Sequence, residues 1–258
     1  MTNTISVSPS TGIVITGGGS GIGRATAHAV AEAGRAVALW DLNGDAAAQV
    51  AGELRDKYGT VAVGIAIDVR DTPRFPACIA ESREKLGTIG GLVHGAGITG
   101  PGAIDVVEES VWDATLAIHL KAGAMLIRDL TPDLTANPGS AIVVISSIEG
   151  IIAHEAIPAY CSAKAGLLGL MRSTAARLGP RGVRSNAICP GFIETPMFLP
   201  SLERDPGARA AYEQRIPLRR LGRPEDIGRV ARFLLSDDAA YITGAEIVAD
   251  GGVIRTTF

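Results

Sequence analysis

A chain of 258 residues that is 47% hydrophobic but only 4% aromatic can build an aliphatic core, removing roughly three quarters of its unfolded surface from water. Its net charge of −3, without a basic run, excludes the electrostatic footprint of a nucleic-acid binder. Residues 1–9 lack the basic and apolar regions of a leader, and no stretch approaches 18 uninterrupted apolar residues, so a cytoplasmic protein with no membrane partner is expected.

Apolar strand-like runs alternate with amphipathic helical ones along the chain. Strands are predicted over 13–16, 36–40, 61–67, 91–94, 141–146, 184–188 and 246–249. Between them the spacing predicts helices near 21–33, 44–58, 72–86, 110–134, 159–178 and 224–235. Pro224, followed by Glu225 and Asp226, makes a good helix start, because proline is pre-set for the first helical position and acids suit the first turn. This alternation implies right-handed crossovers and an α/β fold, a doubly wound parallel sheet with helices on both faces in one domain over 1–258. Cys78, Cys161 and Cys189 show no metal-ligand spacing and fit a reducing compartment; no metal is expected.

The segment from Pro190 to Pro217 breaks the rhythm with five prolines and two glycines. A long surface connection would read this way, but a substrate lid at about 192–216 is the favoured reading, since it leaves the C-terminal end of a strand, where open α/β sheets bind ligands.

The turn carrying Gly17, Gly19, Ser20, Gly21, Ile22 and Gly23 follows the first strand and opens the first helix. Such a turn brings backbone N–H groups and positive potential close to a pyrophosphate. Asp41 lies 18 residues past Gly23 at the end of the second strand, where a carboxylate can accept both adenosine-ribose hydroxyls and repel a 2′-phosphate. Leu42 follows it, and no cation stands at Ser20, so NAD is favoured over NADP; Arg35 and Arg70 are the nearest reservations. Asp68 and Val69 would lie near the adenine edge, although Asp68 reads equally as a helix cap ahead of Thr72 and Pro73.

Tyr160 and Lys164, four residues apart on a predicted helix, share one face. The ammonium is expected to favour the ionised phenol, drawing it down from about 10 toward a pKa useful in proton transfer. Ser147, thirteen residues before Tyr160, ends the fifth strand and places a hydroxyl beside the pair.

The turn of Gly17, Gly21 and Gly23, Asp68-Val69, Ser147, Tyr160-x-x-x-Lys164 and Pro190-Gly191-Phe-Ile-Glu-Thr195, in this order and spacing, resemble the short-chain dehydrogenase/reductase family in its compact form. The resemblance covers essentially the whole chain and implies a Rossmann-type sheet of seven strands in the order 3-2-1-4-5-6-7, hydride transfer between a nicotinamide cofactor and an alcohol or carbonyl, and a homotetramer. It makes Tyr160 the acid/base, gives the substrate oxygen to Ser147 and the nicotinamide ribose to Lys164, and assigns the carboxamide to Thr195 and the backbone of Ile193. Two positions depart from the family. Gly95, Ala96 and Gly97 follow His94 in a turn that usually begins with asparagine. His119 stands where similar proteins carry an asparagine that holds a water linking the lysine to solvent. Neutral histidine could hold such a water too and could also become charged between pH 5 and 8; a packed core histidine is the alternative.

Glu149 and His154 lie in the stretch that edges the cleft in similar enzymes; each either recognises a polar substrate group or is a solvated loop residue. Ile98, Ile148, Phe192, Met197, Phe198 and Leu199 would wall the pocket, suggesting a moderately apolar secondary alcohol or ketone. The leading expectation is an NAD-dependent oxidoreductase. A 3-oxoacyl-carrier-protein reductase ranks lower, because Asp41 opposes NADPH and the loop of residues 135–140 is uncharged. A non-catalytic NAD(H) sensor, from a different class, is opposed by the joint presence of Ser147, Tyr160 and Lys164.

Overall fold

Seven short apolar runs pair side by side in a parallel sheet of order β3-β2-β1-β4-β5-β6-β7 in the computed structural model, which describes residues 10–203 and 207–254. The expectation for residues 1–9 lies outside the described residues. In chain order the strands are β1 (Gly12–Thr16), β2 (Val37–Asp41), β3 (Ala62–Ala66), β4 (Ile89–His94), β5 (Ala141–Ile145), β6 (Arg184–Pro190) and β7 (Glu246–Ala249). Every residue of β1, β4 and β5 is buried, as expected for central parallel strands covered on both sides.

Side-chain alternation divides the core in two. Ile13, Ile15, Val37 and Leu39 point to the layer of α1 (Gly21–Glu32), α2 (Gly44–Tyr58) and, far along the chain, the helix Pro224–Leu234. Val14, Ala38, Trp40 and Leu92 point to the opposite layer, built by α3 (Phe75–Leu86), α4 (Glu109–Leu116), α5 (Ala122–Ala136) and, past a short α6 (Glu149–Ile152), the long α7 (Pro158–Leu178). Trp40 keeps its indole N–H satisfied by donating to Ser82 Oγ at 3.0 Å.

The 110–134 helix expectation needs one change. Between α4 and α5 the chain makes a π-helical turn over Ala117–Lys121, an interruption that a 3.6-residue period cannot reveal and that recurs at functional sites. The segment after β6 also holds more structure than its prolines suggested: α8 (Leu199–Glu203) and α9 (Ala208–Arg215). The final helix is α10 (Pro224–Leu234), and its first turn is tied by Asp226 Oδ2, which accepts from the Arg223 N–H at 2.9 Å.

Strand order reverses between β1 and β4, so the crevice beyond their carboxyl ends is where such a sheet takes a ligand. The turns leaving β1, β4, β5 and β6 all open on that edge, and they carry the glycine-rich turn, Gly95–Gly97, Ser147 and the 191–198 segment respectively.

Candidate active site

The turn after β1 is shaped by glycine where no other residue fits. Gly17 adopts φ +70°, and a Cβ on Gly23 would come within 2.0 Å of the Gly17 carbonyl oxygen, so the helix can begin only this close beneath the turn. Asp41 locks the arrangement from β2. Its Oδ2 accepts from the Gly19 N–H and its Oδ1 from the Asn43 N–H, both at 2.9 Å. The carboxylate therefore sits fixed at the turn, with Leu42 exposed beyond it.

The cations that weighed against an NAD preference are engaged elsewhere. Arg35 is buried at the opposite edge of the sheet, donating to the carbonyls of Thr11 and Leu235. Arg70 pairs with Asp68, whose Oδ1 also accepts the Arg70 N–H at 2.9 Å. That pairing corrects the capping reading of Asp68: the short turn at Thr72–Arg74 is preceded by Asp71, and the Asp68 carboxylate is turned to Arg70. Val69 next to it is buried.

The catalytic candidates converge from β5 and α7. Ser146 Oγ donates to the Lys164 carbonyl at 2.9 Å, stitching the end of β5 to the first turns of α7. Ser147 is nearly buried, and its Oγ accepts the Glu149 N–H at 3.1 Å, leaving its own proton free to donate toward the cleft and toward Tyr160. Lys164 is buried, its ammonium 5.3 Å from the Tyr160 ring centroid and donating to the Ile145 carbonyl at 2.7 Å. The two side chains share a helix face, as their spacing required.

The direction of the phenol's titration differs from expectation. Burial pushes Tyr160 up to about 12, against a hydrogen bond with Ser147, and the nearby Glu149 adds to the rise. Burial likewise brings Lys164 down to about 7. Proximity to an ammonium lowers a phenol only while that ammonium is charged, and desolvation works against both charged forms here.

His119 lies in the π-helical turn, 1% exposed and edge-on to Tyr160 with ring centroids 5.4 Å apart. Its Nε2 is 2.8 Å from the Ile98 carbonyl, closer than the 3.1 Å to the Ile98 N–H, which assigns the ring proton to Nε2 and leaves Nδ1 an acceptor, buried and without a partner among the described residues. A charged His119 between pH 5 and 8 is corrected: burial, reinforced by Lys164, holds it well below 6.5. His94 is bound on both sides, accepting from Thr16 Oγ1 at 2.9 Å and donating from Nε2 to the His119 carbonyl at 2.8 Å. Thr16 Oγ1 in turn accepts from Gly95 and Ala96 N–H at 3.2 Å, so His94 connects the turn after β4 to the π-helical turn.

Beyond β6, Phe192 and Phe198 stack with centroids 5.9 Å apart, and Tyr212 of α9 closes on both at 4.6 and 5.2 Å. Met197 and Leu199 are exposed beside them, as is Ile98 across the cleft. Ile148, at 1% exposure, is corrected from open wall to packing beneath Ser147. His154 is exposed, its Nδ1 accepting the Ala156 N–H at 3.2 Å in its own loop. Sequence reasoning missed Tyr212 and Arg215, the latter 5.7 Å over the Phe192 ring, and also the exposed Ile104 and Val106 of a loop joined to Ala156 by the Gly102 N–H. Only the aromatic character of Tyr212 signalled any of these. Gly191 and Pro190 lie where β6 ends, Ile193 is buried, and Thr195 approaches Gly21, whose Cβ would meet it at 3.4 Å.

A serine, a tyrosine and a lysine converging beside a glycine turn at the switch point of a Rossmann-type sheet define an oxidoreductase of the short-chain type. The chain belongs to the short-chain dehydrogenase/reductase family. A family model described as enoyl-(acyl carrier protein) reductase matches residues 17–254. The chain is 36% identical to 2-(S)-hydroxypropyl-CoM dehydrogenase 3 of Xanthobacter autotrophicus, over 93% of this chain and 95% of that protein. It is 34% identical to a 3-oxoacyl-(acyl-carrier-protein) reductase of Thermotoga maritima, over 93% and 96%. A short-chain dehydrogenase/reductase structure from Brucella melitensis, described as glucose/ribitol dehydrogenase, superposes with a TM-score of 0.90 at 27% identity, covering 98% of this chain and all of that one. Among the described residues no helix is long and apolar enough to cross a membrane, and no cluster of His, Cys, Asp and Glu has metal-binding geometry.

Proposed function

We propose that this protein is an NAD(H)-dependent oxidoreductase interconverting a moderately apolar secondary alcohol and its ketone, with Tyr160 as general acid/base. The observation that carries the reading is the meeting of Tyr160, Lys164 and Ser147 at the crevice that the glycine turn and Asp41 also face. A dinucleotide fits the residues present: Gly17, Gly21 and Gly23 let the turn pack close against α1 and the turn after β4, so that the N-terminus of α1 can face a pyrophosphate, and Asp41 offers fixed oxygens to ribose hydroxyls. When bound, NAD supplies the hydride acceptor. In the oxidative direction Tyr160 takes the hydroxyl proton while Ser147 donates to the substrate oxygen as its charge changes. Lys164 holds the ribose and, when protonated, steadies the phenolate. The 192–216 segment acts as the lid, its Phe192–Phe198–Tyr212 cluster closing the apolar side of the cleft. Two relatives whose names specify alcohol or oxoacyl substrates support the chemistry. The test is a panel of secondary alcohols offered with NAD and NADP in parallel; NADH bound without turnover of any alcohol or ketone would point to the sensor instead.

Cofactor choice has its own test. Asp41→Ala combined with Leu42→Arg should exchange a fixed negative charge for a positive one, shifting the NAD/NADP preference toward NADP by about 10- to 100-fold in kcat/KM, since like-charge juxtaposition is costly. An unchanged preference would remove Asp41 from cofactor recognition.

His119 enters the proton path as a fixed acceptor at Nδ1. Its Nε2 proton is committed to the Ile98 carbonyl, and burial keeps the ring neutral. His119→Leu, which removes the Nδ1 acceptor, should therefore lower kcat, while His119→Asn, whose amide oxygen can still accept, should keep most of it; equal kcat in all three proteins would assign His119 to packing alone. The exposed face of α7, with Ser162, Ala165, Gly169, Ser173 and Ala176, suits the close helix contact of a homotetramer, which light scattering would measure.

A further inference from the structure

Glu149 is the first residue of α6, two positions after Ser147, and it carries a carboxyl that the mechanism above does not use. Its N–H donates to Ser147 Oγ at 3.1 Å, so one turn of chain holds both the reacting hydroxyl and the carboxyl. That turn is packed directly on the helix that carries Tyr160 and Lys164. Gly150 lies against α7 so closely that a Cβ there would be 2.8 Å from the Lys164 carbonyl carbon.

Glu149 Oε2 is buried and has no hydrogen-bond partner among the described residues. Burial raises the carboxyl above its ordinary range, and its charge in turn raises the Tyr160 phenol, so the two groups lie within each other's field. The other groups that act on it are His154 and Arg215. Neither is hydrogen-bonded to it among the described residues: His154 accepts from Ala156 in its own loop, and Arg215 lies over the Phe192 ring. Buried carboxylate oxygens are ordinarily paired, and an orphan beside a reacting hydroxyl is a place where a ligand supplies the missing donor.

We propose that Glu149 determines specificity by accepting a hydrogen bond from a second hydroxyl of the substrate, making the preferred substrate a diol. This rests on the alcohol/ketone reading above and narrows it. The first hydroxyl meets Tyr160 and Ser147; the second, close to it on the carbon skeleton, meets Oε2. The hydrocarbon remainder packs on Phe192, Phe198 and Ile98. A substrate with its own carboxylate at that position is repelled by Glu149. A neutral hydroxyl satisfies the oxygen without adding charge to a site where burial already disfavours it.

The test compares cis-cyclohexane-1,2-diol with cyclohexanol. Initial rates with NAD are measured for the unaltered enzyme, Glu149→Gln and Glu149→Ala. Binding of the same two compounds is followed by NADH fluorescence in a Tyr160→Phe background, with and without Glu149→Ala, where no turnover is needed. The unaltered enzyme should favour the diol by about tenfold, in rate and in binding, with the ratio falling toward one in Glu149→Ala and partly kept in Glu149→Gln, whose amide oxygen still accepts. Equal diol-to-monool ratios with and without the Glu149 carboxyl would overturn the proposal, as would preference for 2-aminocyclohexanol over the diol. Absence of turnover with either alcohol would count against the oxidoreductase reading, while the binding ratio still decides the role of Glu149.

Discussion

Tyr160→Phe should lower kcat/KM by about 10²–10⁴-fold, the usual worth of a positioned acid/base, while cofactor affinity stays close to that of the unaltered protein. The change removes one oxygen and keeps the ring, so the edge contact with His119 and the Lys164 ammonium over the ring are preserved. The direction of pH dependence follows from the phenol's position near 12. Ketone reduction needs the protonated phenol, which is present throughout the neutral range, so its rate should be nearly flat from about pH 6 to 8. Alcohol oxidation needs the phenolate, so its rate should climb with pH across the same range. Stopped-flow or steady-state rates in both directions check this; near-normal turnover in the phenylalanine variant would place the proton transfer elsewhere.

How much of this was legible beforehand differs from element to element. The strands could be read because runs such as Ile-Val-Val-Ile are apolar at every position, which only a doubly covered strand requires. Asp41 could be read because its distance from Gly23 is set by one helix and one strand. The π-helical turn at Ala117–Lys121 could not, since a single shifted hydrogen bond leaves the apolar pattern nearly intact. The helix α9 that brings Tyr212 and Arg215 to Phe192 has no buried residue and is held by aromatic packing and by ion pairs from Arg209 to Glu194 and Glu213, contacts that local spacing does not encode. The Tyr160 phenol shows the same limit at the scale of one atom. Four-residue spacing determined that the ammonium would lie beside the ring, but the balance between that charge and desolvation depends on side chains from β5, α6 and the π-helical turn.

Lys164→Met should make the cofactor-free protein more stable at neutral pH, even as it removes activity. Lys164 is 4% exposed, and among the described residues its ammonium makes one hydrogen bond, to the Ile145 carbonyl, so the fold bears a desolvation cost that an unfolded chain avoids. Replacing buried ionic groups by apolar side chains of similar volume is often neutral or stabilising, by up to about 4 kcal/mol, because the desolvation cost goes with the charge. The sign of the pH dependence follows from Lys164 titrating near 7 in the fold and near its ordinary 10.5 in the unfolded chain. Between those values the unfolded state binds the extra proton, so the unaltered protein gains stability as pH rises through the interval, with a full span on the order of 5 kcal/mol. The advantage of the methionine variant should therefore be greatest at or below pH 7, shrink through pH 8 and 9, and level off above about 10.5. Urea unfolding of both proteins without cofactor, at several pH values, measures the difference directly. A gap that does not change with pH would mean that Lys164 stays protonated in the fold. That result would restore the ammonium as a permanent charge beside the phenol and bring back the lowered Tyr160 pKa that the four-residue spacing first suggested.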